Sequence, residues 1–210
     1  MKTQNKSVPF SRLTKAAQRV AIAQDVIAQL KAKKAIAKSN VFLAFNGISE
    51  GYAGVACTTL REVQSKVDSC SVCAIGAIML SQLNINGDVG LDAANVYDYN
   101  ENFAVDAREE YSYTNELSPY VTKYFKPDQL QKIEIAFELG DGAFYILDYL
   151  LGESDYDSWE EFNDQFDNGV VISEQEARDA VKFGKRYKNI TNRMIAIMNN
   201  IIDNDGEFVP

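Results

Sequence analysis

Between Ser11 and Lys34 the apolar residues Leu13, Ala17, Val20, Ala23, Ile27 and Leu30 recur at steps of three and four. That spacing lays one stripe along a helix and predicts a long amphipathic α-helix over 11–34. After Ser39 and Asn40 the pattern changes to a continuous apolar run, Val41 to Phe45, bounded by turn formers. Such a run predicts a short buried strand, with a helical segment as the alternative. Gly47, Gly51 and Gly54 then mark a loop, and Thr59 with Glu62 has the spacing of a capping box that opens a short helix.

The stretch Cys70–Ser81 is apolar on all sides, with a small-residue edge at Cys73, Gly76 and Ala77. It predicts the central core helix, over 70–83, because small side chains let another backbone approach closely. Residues 88–118 are rich in Asp, Glu, Asn and Tyr without clear periodicity, and read as a long loop with one short helix. Pro127 and Asp128 suit the first turn of a helix whose inner face is Leu130, Ile133 and Phe137. Phe144–Leu151 reads as a further helix. The last helix is predicted over 174–203, about 29 residues or roughly 43 Å. Ser173 and Glu176 cap its start, Ala177, Ala180, Gly184, Tyr187, Met194, Met198 and Ile201 track one face, and Gly206 ends it. The fold class is therefore mainly α: a single-domain helical bundle with a short strand or hairpin and a long acidic loop.

The 210 residues suffice to bury a core without staples. No apolar run approaches the ~20 residues needed to cross a bilayer. The first 20 residues lack the apolar core of a secretory signal, and three cysteines (Cys57, Cys70, Cys73) do not make a disulfide framework, so a cytoplasmic location is expected. The chain holds no histidine at all. Ser-His and Cys-His nucleophile pairs, histidine bases and histidine-containing zinc sets are thereby excluded within it.

Charge is strongly segregated. Residues 1–40 hold nine Lys and Arg against one acid, Asp25, 138–168 hold ten acids and no base, and from Arg178 to Arg193 six cations stand against one acid, Asp179, within a net charge of −9. The ordinary reading is that these opposite charges face each other in the fold; the sharper one is that the acidic stretch docks a basic partner. Within that stretch Asp155, Tyr156, Asp157, Trp159, Glu160 and Glu161 combine carboxylates with two aromatic anchors, as protein interfaces do. They are the candidate partner-binding residues, against the plain alternative that Trp159 is a core residue under a loop.

Other chemistry is less supported. Cys70 and Cys73 have the CxxC spacing, and a capped helix start would make them a redox pair, but no βαβ pattern surrounds them. Zinc on Cys57, Cys70 and Cys73 would need a carboxylate fourth ligand, against the preference of structural sites. There is no P-loop, no GxGxxG and no complete calcium loop, so neither cofactor nor metal is expected. Overall acidity and the lack of interleaved aromatics speak against nucleic acid.

Three stretches, 19–34, 70–81 and 192–210, also carry a resemblance. With its Cys-x-x-Cys-Ala-x-Gly-Ala segment and its carboxyl terminus, the chain resembles a scattered set of small proteins of bacteria and their phages. The resemblance implies a phage or mobile-element origin and carries over no activity. The expected function is thus a non-enzymatic binding protein that engages a host protein as an inhibitor or counter-defence factor. The alternatives are a small-ligand or nucleotide-sequestering protein or histidine-independent enzyme with a pocket beside Cys70–Ser81, and a virion or assembly component that forms homo-oligomers.

Overall fold

The computed structural model describes residues 8–46, 68–86, 96–99, 102–105, 121–139, 146–164 and 171–210. Among them are α1 (Lys15–Lys31), β1 (Ala35–Ala37), β2 (Leu43–Asn46), β3 (Ser69–Val72), α2 (Ala74–Asn86), β4 (Val96–Tyr99), β5 (Asn102–Val105), α3 (Pro127–Glu138), α4 (Ile146–Leu151), α5 (Trp159–Asp164), α6 (Glu174–Lys185) and α7 (Ile190–Asp203). The fold is mainly helical, with a small sheet packed at one side. Helix α1 lies against α2 and α7, and α3 lies against α2, α6 and α7.

The strands form a five-stranded sheet in the order β1-β3-β2-β5-β4. Strand β1 runs parallel to β3, Ala35 opposite Cys70 and Ala37 opposite Val72, while the other pairs are antiparallel. The strand expected over 41–45 is present as β2, with Leu43 and Phe45 fully buried. The sheet around it is larger than a lone strand or hairpin, and β4 and β5 form a hairpin inside the stretch read as a loop over 88–118. Residues 59–62, with their capping pair, lie outside the described residues.

Three helix boundaries are corrected. The first helix spans Lys15–Lys31 rather than 11–34: Thr14 is its N-cap, accepting from the Ala17 N–H, and a 3-10 turn at Phe10–Arg12 precedes it. Its buried residues are Gln18, Ile22, Ala23, Val26, Ile27, Gln29 and Leu30, so Ala23, Ile27 and Leu30 of the stripe face the core while Leu13, Ala17 and Val20 are only partly buried. The core helix begins at Ala74, not at 70. Cys70 belongs to β3, where alternation turns Cys70 and Val72 into the core, and Cys73 sits at the helix start with its Sγ accepting from the Gly76 N–H at 3.4 Å. Gly76 is required there, because a Cβ would lie 1.6 Å from the Phe42 carbonyl oxygen.

The helix expected over 174–203 is two helices, α6 and α7, broken at 186–189. Asn189 caps α7 by accepting from the Asn192 N–H at 2.9 Å, and the buried Arg193 guanidinium donates to the Tyr187 carbonyl at 3.1 and 3.2 Å. A polar cap and a buried cation thus satisfy the backbone groups that the break would leave unpaired. The capping box of Ser173 and Glu176 forms with both of its hydrogen bonds. Gly206, at φ +89°, closes α7, its N–H donating to the Ile201 carbonyl at 2.7 Å.

One continuous apolar cluster joins the helices to the sheet, from Ile22 and Val26 through Leu43, Phe45, Ile78, Phe125, Ile133 and Phe137 to Met194, Met198, Ile201 and Phe208. Buried polar groups stitch its elements together. Ser81 Oγ donates to the Ile22 carbonyl, and the Phe208 N–H donates to Gln129 Oε1 at 2.6 Å. Arg19 holds the carboxyl-terminal segment by donating to the Gly206 carbonyl and pairing with Glu207.

Candidate functional site

The acidic segment folds into a turn and one short helix on an aromatic footing. Phe162, on α5, is fully buried, and Trp159, Tyr149 and Tyr156 pack around it with ring centroids 5.3, 5.0 and 5.5 Å away. Tyr149 also meets Trp159 edge-on at 5.3 Å. Arrangements of this kind hold aromatic side chains in one rotamer and present their remaining edges at low entropic cost. Trp159 is half-buried and its indole N–H donates to the Ile172 carbonyl at 3.3 Å, which fixes α5 against the entry to α6. Trp159 is thus not a core residue under a loop: it opens α5 and is partly buried against the core.

Around this footing the carboxylates stand in solvent. Asp155, Asp157, Glu160 and Glu161 are all exposed, and Tyr156 is half-buried between the first two. Glu161 closes the start of the helix: its carboxylate accepts from the Asp157 N–H at 3.0 Å while its own N–H donates to Ser158 Oγ at 3.1 Å. Phe162 was not among the candidate residues, yet it is the one that positions them. Its signal in the sequence is the apolar position i+3 to Trp159 in an otherwise polar run.

Two apolar side chains are exposed next to residues that tie α4 and α5 to α6: Leu151, at 55%, follows Leu150, and Val171, at 49%, precedes Ile172. Half-buried aromatics with an acidic rim have the composition of a protein-docking surface.

None of the acids from Glu153 to Asp164 makes an ion pair among the described residues, and neither do Lys31, Lys33, Lys34 and Lys38. Ion pairs among the described residues join Arg19 to Glu207, Lys132 to Asp128 and Glu176, and Arg178 to Glu174. The carboxyl-terminal basic segment does lie against part of the acidic one, since α4 packs on α6, Arg178 donates to the Leu150 carbonyl at 3.3 Å and Arg193 lies near Glu138. The lysines of 31–38 and the acids of 153–164, by contrast, are not joined by an ion pair among the described residues.

The cysteine pair is inert by position. Both thiols are free and buried, and burial pushes each up to about 12, which keeps them protonated at neutral pH. Cys57 lies outside the described residues, and among the described residues no group of three Cys, Asp or Glu could hold a metal ion. No helix of the described residues is long and apolar enough to cross a membrane.

Near Cys73 lies a feature that the sequence did not signal. Glu134 and Glu138, one turn apart on α3, both act on the Cys73 thiol electrostatically. Glu138 is buried and accepts from the Asn40 N–H at 3.1 and 3.2 Å, close to Arg193. Burial first, and the neighbouring Glu138 second, push the Glu134 carboxyl up to about 7. A carboxyl poised near neutrality is able to give or take a proton at physiological pH. A separate open groove of about 500 Å³ runs along α6 and α7, between Phe183, Tyr187, Asn192, Ile195 and Asn200.

In comparisons with protein-family models, curated proteins and solved structures, nothing matches the chain significantly.

Proposed function

We propose that this is a non-enzymatic binding protein that captures another protein through the acidic, aromatic surface of 146–164. The observation that carries the reading is the combination of exposed, unpaired carboxylates at Asp155, Asp157 and Glu160 with a rigid aromatic footing of Tyr149, Tyr156, Trp159 and Phe162. Unpaired carboxylates cost little in water and add their attraction when a basic surface arrives, steering association and selecting for charge. Aromatic edges beside them supply the apolar contact that holds it. With the phage-like resemblance of three segments, the partner is a basic surface on a host protein in the cytoplasm, and the role is that of an inhibitor or counter-defence factor.

The test is capture of partners from bacterial lysate by the tagged protein, with and without charge reversal at Asp155, Asp157, Glu160 and Glu161. A stoichiometric protein lost on reversal, with circular dichroism unchanged, supports the reading; capture that survives reversal overturns it.

A second reading rests on Glu134 beside Cys73. A carboxyl with a raised pKa near the start of α2 suits a ligand-sequestering protein or a histidine-independent enzyme. It predicts a small molecule released on denaturation and lost in Glu134→Gln. An assembly component would instead sediment as ordered homo-oligomers.

A further inference from the structure

The end of α1 and the strand that follows it carry four exposed lysines on a fixed backbone. Lys31 is the last residue of the helix, Lys33 and Lys34 lie in the turn after it, and Lys38 lies just past β1. In the turn, the Lys33 N–H donates to the Leu30 carbonyl at 3.1 Å and the Lys34 N–H to the Gln29 carbonyl at 3.0 Å. Main-chain bonds at 2.9 Å also tie Lys34 and Lys38 to β3: the Cys70 N–H donates to the Lys34 carbonyl, and the Lys38 N–H to the Val72 carbonyl.

Strand alternation then sorts the side chains. Ala35 and Ala37 are buried, whereas Lys34, Ile36 and Lys38 are exposed, Ile36 at 46%, so the outer face reads cation, apolar, cation. Helix electrostatics accounts for Lys31 alone, because the dipole acts within the last turn. Lys33 even stands at φ +57°, in the position past the helix end where glycine is the unstrained residue. None of the four lysines makes an ion pair among the described residues. The acidic segment has the complementary order: Tyr156 is half-buried between exposed Asp155 and Asp157, and Trp159 precedes exposed Glu160. Each of the two surfaces thus sets an apolar group among like charges that nothing within the described chain pairs.

We propose that the lysine surface around Ile36 binds the acidic, aromatic surface of a second copy of this chain. Lysines meet carboxylates, and Ile36 meets the exposed edges of Tyr156 and Trp159. The contact is heterologous, since each copy brings one surface of each kind, so it extends from copy to copy or closes into a ring. The net charge of −9 makes two copies repel at a distance, but at physiological ionic strength that repulsion is screened beyond about 8 Å, while groups in contact still attract. Exposed ion pairs contribute little each, so the association is weak and reversible. The inference rests on the acidic surface that the proposed function also uses, and gives it a competing occupant.

Sedimentation velocity of the purified full-length protein, from about 10 µM to about 1 mM, tests this. Average mass should rise with concentration in about 0.15 M salt, and the association should weaken about ten-fold in about 0.5 M. One variant carries Lys33→Glu, Lys34→Glu and Lys38→Glu; the other carries Asp155→Lys, Asp157→Lys and Glu160→Lys, leaving Glu161 to cap α5. Each alone should stay monomeric with an unchanged circular dichroism spectrum. Mixed one to one they should associate again, because each retains the surface that the other has lost, a recovery that misfolding of either variant would not give. Capture of an outside protein from lysate should survive the lysine reversals, so a failure of capture with self-association intact would count against the proposed function and not against this inference. The inference is overturned by a wild-type chain that stays monomeric throughout, whether or not its lysines bind duplex DNA or anionic vesicles. It is equally overturned by association that survives either set of reversals, or by a mixture no heavier than its parts.

Discussion

Arg193, in the first turn of α7, donates from Nη1 to the carbonyl of Phe137, in the last turn of α3, at 2.7 Å, in a buried setting. The remaining guanidinium nitrogens donate to Tyr187, and the Glu138 carboxylate lies nearby. One cation thus serves the end of one helix, the break between two others and a buried acid.

Removing it leaves three claims unmet. Arg193→Met should destabilise the fold by about 3 kcal/mol, since a buried acid and two carbonyls lose their partner together. Urea denaturation followed by circular dichroism measures this; a loss within the ±0.5 kcal/mol of a surface substitution would show that the network is dispensable.

Glu134 should make stability depend on pH. Its carboxyl keeps a proton up to about pH 7 in the folded chain but only to about 4.5 when unfolded. Between those values the folded state binds more protons, so its stability declines as pH rises through that window and is lowest above it. The full cost is up to about 3 kcal/mol, less where water still reaches the side chain. Glu134→Gln should recover about 2 kcal/mol at pH 8 and flatten the profile between pH 5 and pH 8. Parallel profiles for the two proteins would contradict this.

Gly76→Ala should be among the most damaging single-methyl additions in the chain. The new Cβ meets backbone, the Phe42 carbonyl, at 1.6 Å, and α2 cannot shift without disturbing the packing of Ile78 and Met79. A loss above ~3 kcal/mol, or failure to fold, is expected. Gly152→Ala is the control: nothing lies within 4 Å and only its φ of +74° is strained, so about 1 kcal/mol should be lost. Comparable melting temperatures for the two variants would refute the close approach of Gly76 to Phe42.

Ser173→Ala removes the side chain that accepts from the Glu176 N–H and also donates to the Glu176 carboxylate at 2.9 Å. The expected loss is about 1 kcal/mol, with hydrogen exchange faster in the first turn of α6. The Glu176 carboxyl is held below its ordinary value chiefly by the Ser173 N–H that it accepts, so its titration in the variant should move only part of the way back.

Local signals were legible along the chain where one residue or one period decides the outcome. The capping box at Ser173, the proline-led start of α3 with buried Leu130, Ile133 and Phe137, the strand at Leu43–Asn46 and the turn at Gly206 all follow from short-range chemistry. In the acidic segment Tyr156 and Trp159 stood out as aromatics in a charged run, but their packing on Phe162 did not. Absence of histidine set the bounds on chemistry before any fold was known.

Only the tertiary structure decided what long-range partners impose. Cys70 and Val72 are strand residues because β1 and β2 flank them on either side, an energy that no local window contains. The last helix breaks at 186–189 because Asn189 and Arg193 satisfy the freed backbone, and Arg193 does so from a position fixed by Phe137. Burial and the neighbouring Glu138 push the Glu134 carboxyl up to about 7, a shift that depends on which helices pack against it. Composition determined which groups are present; packing determined which of them lose water, and hence which are left with unused charge or unused hydrogen bonds.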